Sequence, residues 1–113
     1  MHELSITENI LEIVLKHAKD SEAKEVKTIH LVIGQLSSVI DDCVQFYWDI
    51  ISKDTIAEHA TLNFKRVEAR LECQECHHHY DLGKELQPCP NCGSSHVKFI
   101  AGTEFYLESI DIT

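Results

Sequence analysis

Cys73-Gln74-Glu75-Cys76 and Cys89-Pro90-Asn91-Cys92, separated by twelve residues, set the architecture of this 113-residue chain. Two Cys-x-x-Cys turns at such a spacing bring four thiolates to one tetrahedral ion. Pro90 presets φ at the first turn position, and Gly93, directly after Cys92, supplies the positive φ that points backbone amides at sulfur. His77 holds the equivalent place after Cys76, where a residue with a side chain is tolerated at some cost. Zinc, redox-inert and suited to structural duty, is favoured over a single iron, which the same ligands also accommodate. About thirty residues around the cysteines bury too little apolar surface to fold alone, so zinc binding, about 10–16 kcal/mol in small zinc peptides, has to supply the order. A thioredoxin-like redox role would need one exposed pair with a depressed pKa, whereas here each pair has an evident partner pair.

The flanks of the cysteine module read as a different kind of structure. Ser5 followed by Glu8 fits a capping box, and Ile6, Ile10, Ile13, Val14 and His17 recur at helical spacing, which predicts a helix from Ser5 to Asp20. Val26 to Ile33 is β-branched and alternating, and Gly34 closes it, which predicts a strand. Asp41 and Asp42 complement a helix start, with Val44, Tyr47, Trp48 and Ile51 on one face and an end near Lys53. From Leu62 to Arg70 the alternation slips by one residue near Lys65, so a single strand with a β-bulge is expected to run straight into Cys73. Phe105, Leu107, Ile110 and Ile112 make a last strand with a similar slip. This order predicts an α+β fold, two helices packed on a three-stranded mixed sheet with an inserted zinc-ribbon domain. The expected domains are residues 1–70 with 101–113, and residues 71–100.

Composition narrows the function. Hydrophobic residues at 43% and charged residues at 26% match a packed globular protein and not a disordered one. Nineteen acids against ten lysines and arginines give a charge of -9, which repels nucleic acid and anionic membrane surfaces, so neither is an expected partner. Within the cysteine module Lys84 and Lys98 face Glu72, Glu75, Asp81 and Glu85, the reverse of a nucleic-acid reader. With no basic n-region and only short apolar runs, the expected location is the cytoplasm. No Ser/His/Asp pattern, phosphate-binding glycine loop or paired carboxylate is recognisable, so no enzyme activity is expected. Cys43 reads as a small core residue on the second helix. His77, His78, His79 and His96 read as exposed loop residues, with a pH-sensitive metal contact by one of them as the sharper alternative.

His2 directly behind Met1 places a free amine, an amide nitrogen and an imidazole in covalent succession. The Met1 amine and His2 amide close a five-membered chelate ring on a metal, His2 Nδ1 adds a six-membered one, and the Glu3 amide is a further donor. A planar nitrogen-rich set suits nickel(II) or copper(II) and fits zinc poorly.

Met1-His2-Glu3-Leu4-Ser5, Ile33-Gly34-Gln35-Leu36, Thr55-Ile56-Ala57-Glu58 and the two cysteine pairs, taken together, give the chain a resemblance to the HypA/HybF family of hydrogenase nickel-incorporation proteins over nearly its whole length. The resemblance implies a nickel metallochaperone that works with a GTPase partner, HypB, to deliver nickel to the large subunit of nickel-iron hydrogenase. By position it implies that His2 ligates nickel, that Glu3 assists through its amide and a partner contact, and that Cys73, Cys76, Cys89 and Cys92 bind zinc. The chain lacks an insertion, found in some members between the cysteine pairs, whose histidine is proposed to complete the nickel shell. That leaves the Met1 amine, the Glu3 amide, one of His77 to His79 or a partner's residue as the fourth donor. A zinc-ribbon interaction module without nickel is the competing reading.

Overall fold

The computed structural model describes residues 3–113, in the order α1 (Glu3–Asp20), β1 (Val26–Gly34), α2 (Asp41–Ile51), β2 (Thr61–Val67), β3 (Arg70–Cys73), β4 (His79–Asp81), β5 (Val97–Ala101) and β6 (Phe105–Ile112). Met1 and His2 lie outside the described residues. Two sheets form, ordered β2-β1-β6 and β4-β3-β5. The first is mixed. Gln35, just past β1, donates its N–H to Val67 O at the end of β2, so these strands run parallel. Gly34 donates to Glu104 O while Thr113 donates to Glu25 O, so β1 and β6 run antiparallel.

The chain groups into two compact units, one comprising the segment up to Val32, Ser38–Lys65 and Phe105–Thr113, the other Ile33–Ser37 and Arg66–Glu104. In the first, α1 and α2 pack together over a core containing Ile10, Val14, Ile29, Leu31, Val44 and Trp48, with Phe105, Leu107 and Ile110 against it. The slip expected in the last strand is present, since Phe105, Leu107 and then Ile110 are its half-buried apolar residues.

Helix α1 starts two residues earlier than its capping box suggests. Ser5 lies inside it. Its buried stripe runs Glu3, Thr7, Ile10, Val14 and Ala18, and Ile13 stands beside that stripe at 44% exposure. Glu3 is itself buried, and its carboxylate accepts the N–H of Ile40, the N-cap of α2, at 3.2 Å. Ile40 has no side chain able to cap, and Glu3 instead anchors the N-cap backbone N–H from another helix, as the glutamate of a capping box does. Glu3→Ala is therefore expected to lower the urea midpoint of the whole chain through a frayed α2 start, which amide exchange at Asp41 to Val44 would report. Unchanged exchange there would refute the cap.

The single strand expected from Leu62 into Cys73 is two strands in different sheets, β2 and β3. The physical reason sits at Ala69. Its N–H is taken at 2.9 Å by the side-chain Oε1 of Gln35, and its carbonyl accepts from Leu82, so the ladder is interrupted. The apolar slip near Lys65 lies within β2 itself, whose inward apolar residues are Leu62, Phe64 and then Val67, and a further register shift falls between Arg70 and Leu71 against β5.

Candidate metal centre

Strand β3 ends on Cys73, the turn 74–78 follows, and β4 returns antiparallel with Leu71 opposite Tyr80. On the other side β5 pairs with β3, Leu71 opposite Phe99 and Cys73 opposite Val97. Leu71, fully buried, is the apolar centre of this sheet. The second turn, around Cys89 to Ser94, leads into β5, and Gln74 N–H donates to His96 O at 2.8 Å, tying the first turn to that approach.

The two turns are the same structure built twice. Cys73 donates its N–H to His78 O and Cys89 donates to Ser94 O; His77 donates to Cys73 O and Gly93 to Cys89 O. His77 has φ +63° and Gly93 has φ +77°, so the left-handed position expected after each pair is occupied in both, by histidine in one and glycine in the other. This geometry aims amides at sulfur. The N–H groups of Glu75 and Cys76 lie 3.4 and 3.5 Å from Cys73 Sγ, and that of Asn91 lies 3.4 Å from Cys89 Sγ.

All four sulfurs lie within 4.8 Å of one another. Cys73 Sγ to Cys92 Sγ is 3.5 Å and Cys76 Sγ to Cys89 Sγ is 3.6 Å. A regular tetrahedron with zinc–sulfur bonds of about 2.3 Å has edges of about 3.8 Å, so the residues fit a four-cysteine zinc site. Asn91, which sequence reading did not single out, donates its side-chain amide to Cys76 Sγ at 3.4 Å, bonding one turn to the sulfur of the other. Its position between Cys89 and Cys92 was the available signal.

Thiol chemistry in the cluster is divided. The Asn91 amide, with the N–H of His78, lowers the Cys76 thiol to about 6. For Cys92 the backbone at Ser94 pulls downward, yet the crowd of Cys73, Cys76 and Cys89 sulfurs together with burial pushes it up to about 12. Neighbouring negative sulfurs oppose the last ionisation, and a divalent cation removes that opposition. A closed sulfur shell leaves no coordination position for a substrate, so the centre suits a structural ion.

The four nearby histidines are exposed, as expected, and lie outside this cluster. His79 pairs with Glu72 at 3.0 Å and holds that carboxyl below its ordinary range; His96 sits 3.5 Å from Glu75; His78 stacks on Tyr80. Among the described residues the only group of three or more His, Cys, Asp or Glu able to hold one metal is Cys73, Cys76, Cys89 and Cys92. Glu3 lies in the first turn of α1. Cys43 is half-buried on α2. No helix among the described residues is long and apolar enough to cross a membrane.

Residues 1–112 match the family model described as hydrogenase/urease nickel incorporation, metallochaperone, HypA. A hydrogenase maturation factor HypA from Dehalococcoides mccartyi (strain CBDB1) is 42% identical over 112 residues, covering 99% of this chain and 94% of that protein. Among solved structures, the solution structure of a HypA protein aligns with a TM-score of 0.78 at 23% identity, covering 100% of this chain and 97% of the other. The Ni metallochaperone HypA from Helicobacter pylori aligns with a TM-score of 0.65 at 24% identity, covering 99% and 97%. With its two helices, mixed three-stranded sheet and four-cysteine site, the chain belongs to the HypA family of nickel metallochaperones for hydrogenase maturation.

Proposed function

We propose that this chain binds nickel(II) as cargo at its amino terminus and, with a HypB-type GTPase, delivers it to the large subunit of nickel-iron hydrogenase in the cytoplasm, without catalysing a reaction of its own. The observation that carries the reading is Met1-His2-Glu3 at the head of a chain that matches a nickel-incorporation family over residues 1–112. Residues 1–70 and 101–113 then act as the nickel-binding domain, and residues 71–100 as a zinc ribbon held by Cys73, Cys76, Cys89 and Cys92. His2 supplies imidazole and amide nitrogen, with the Met1 amine and Glu3 amide as backbone donors.

The chemistry of those donors suits transfer. Each must lose or lack a proton to bind, so capture strengthens with rising pH and release is favoured by acid or by a competing ligand set. Nitrogen donors in a plane select nickel(II) over the zinc that the thiolates hold, so two metals are kept on two ligand types within one small protein. The net charge of -9 raises the local concentration of cations.

A tag-free sample with an unmodified first residue is expected to retain nickel in equilibrium dialysis and to show the absorption bands of a planar nitrogen-ligated ion. His2→Ala, and separately a Gly-Ser extension ahead of Met1, are expected to abolish saturable nickel binding while zinc content stays unchanged. Nickel retained by either variant would overturn the terminal site.

A further inference from the structure

Strand β6 is the terminal strand of its sheet, and among the described residues no strand pairs with its outer edge. That edge opens into a groove. A cavity of about 580 Å³ is lined by β6 residues on both sides of the pleat, Tyr106 through Ile110 and Ile112, and across from them by Ile13, His17 and Ser21 of α1. A strand whose successive residues all line one cavity is presenting its backbone edge to it. A second cavity of about 390 Å³ continues past Phe105 to Leu107 along Ile6, Ile10 and Ile13. Ile13 at 44%, Tyr106 at 50% and Ile112 at 37% exposure leave apolar surface uncovered along this line.

The backbone register is defined from both ends. Thr113 exchanges hydrogen bonds inward with Lys24 and Glu25, and Glu104 O accepts inward from Gly34. In an antiparallel strand alternate residues face the partner, so Ile112 and Ile110, counted back from one end, and Phe105 and Leu107, counted from the other, turn their N–H and C=O groups outward. The slip between Leu107 and Ile110 reconciles the two counts. Phe105, Leu107 and Ile110 among them carry the core-facing side chains, so a segment paired to this edge would place every second side chain beside Ile13 and the others on the opposite sheet face.

Charge identifies the segment. Glu104, Glu108 and Asp111 are the only charged residues from 104 to 113, and all are acidic. On that opposite face Lys65 at 3.8 Å from Glu108 and His30 at 2.9 Å from Asp111 offset part of the charge, while on α1 Lys16 is flanked by Glu12 and Asp20. A second copy would bring another -9 and the same acidic strand to the edge. We propose that the outer edge of β6, with the groove against α1, is a docking site for an extended segment of a partner protein that adds as a fourth strand, its apolar side chains entering the groove beside Ile13 and its alternate lysines or arginines meeting Glu108 and Asp111.

The probe is an acetylated, amidated octapeptide alternating valine and lysine, titrated into the zinc-loaded full chain and followed by amide resonances. Saturable shifts are expected at Leu107, Ile110 and Ile112. Ile13→Asp, at a half-exposed position, should weaken binding by about tenfold or more. Ile112→Pro, which removes only an outward N–H from an edge strand, should do the same. The octapeptide alternating valine and glutamate should not bind. Non-saturating shifts, binding indifferent to both substitutions, or equal binding of the acidic peptide would overturn the proposal. So would sedimentation showing a dimer that Ile13→Asp dissolves, since a second copy would then own the edge. None of these readouts depends on nickel.

Discussion

Stripping zinc from the four cysteines is expected to unfold the unit formed by Ile33–Ser37 and Arg66–Glu104 and to leave the two-helix unit folded. The buried hydrophobic residues of the first are Ile33, Ala69, Leu71, Cys73 and Cys89. Three apolar side chains and two ligands do not offset the ordering entropy of that length of chain. The ion has to, with roughly 10–16 kcal/mol available in comparable sites. The helical unit keeps its own core around Val14, Leu31 and Trp48, all fully buried. A two-dimensional amide spectrum recorded with a stoichiometric chelator should lose the dispersed signals of residues 70–101 and retain those of 6–31. Cys73→Ser should reproduce it. Dispersed signals from β3 and β5 after complete zinc removal would sink the idea.

Acid should act in the same direction. The Cys76 thiol, lowered from an ordinary value of 9.0 to about 6, is a depressed group. The Asn91 side-chain amide on its sulfur favours the thiolate form that zinc binding requires. Protons also compete directly with zinc for all four sulfurs, so apparent zinc affinity should fall steadily on acidification. A zinc titration repeated across this range checks the sign.

Gly34→Ala is expected to be the most damaging single-methyl change. A Cβ at Gly34 would lie 2.1 Å from Gly102 O and 2.8 Å from Glu104 N, both backbone atoms. These atoms cannot swing away, because Gly34 donates to Glu104 O and Leu36 donates to Gly102 O, each at 2.7 Å. Gly34 is not among the positive-φ glycines, so the cost is steric and not conformational. About 3 kcal/mol follows from forcing a methyl into closed packing. Gly83→Ala is the matched comparison, since it sits at φ +69° with nothing within 4 Å of an added Cβ. There only the left-handed backbone is penalised, by about 1 kcal/mol. Urea unfolding of both variants should rank Gly34→Ala well below Gly83→Ala, and the opposite order would disprove the clash.

Element type was legible wherever local chemistry controls it. The cysteine turns declared their left-handed positions through Gly93, and the equivalence with His77 followed from spacing alone. Val26 to Ile33 and Asp41 onward appear where their alternation and periodicity place them. The errors share a cause. Ser5 and Glu8 have the spacing of a capping box, yet the helix already includes Glu3, which is buried with its carboxylate on Ile40, thirty-seven positions away, a contact no local pattern reveals. Helical spacing groups Ile13 with Ile6 and Ile10, and only the placement of the neighbouring elements selects which flank of that broad apolar stripe is covered.

What the sequence alone determined is whatever is written in residues adjacent along the chain, namely the two sulfur-aiming turns, the helical and strand periods, the acidic charge and the terminal run of nitrogen donors. Tertiary structure alone decided that the apolar run into Cys73 breaks at Ala69, because the acceptor that takes the Ala69 amide belongs to Gln35. It also decided that Gly34 and Gly102 touch and that the outer edge of β6 stays open beside α1. Such features depend on which unsatisfied backbone groups and side chains meet after the chain has closed on itself, and contacts between distant positions leave no local period to read.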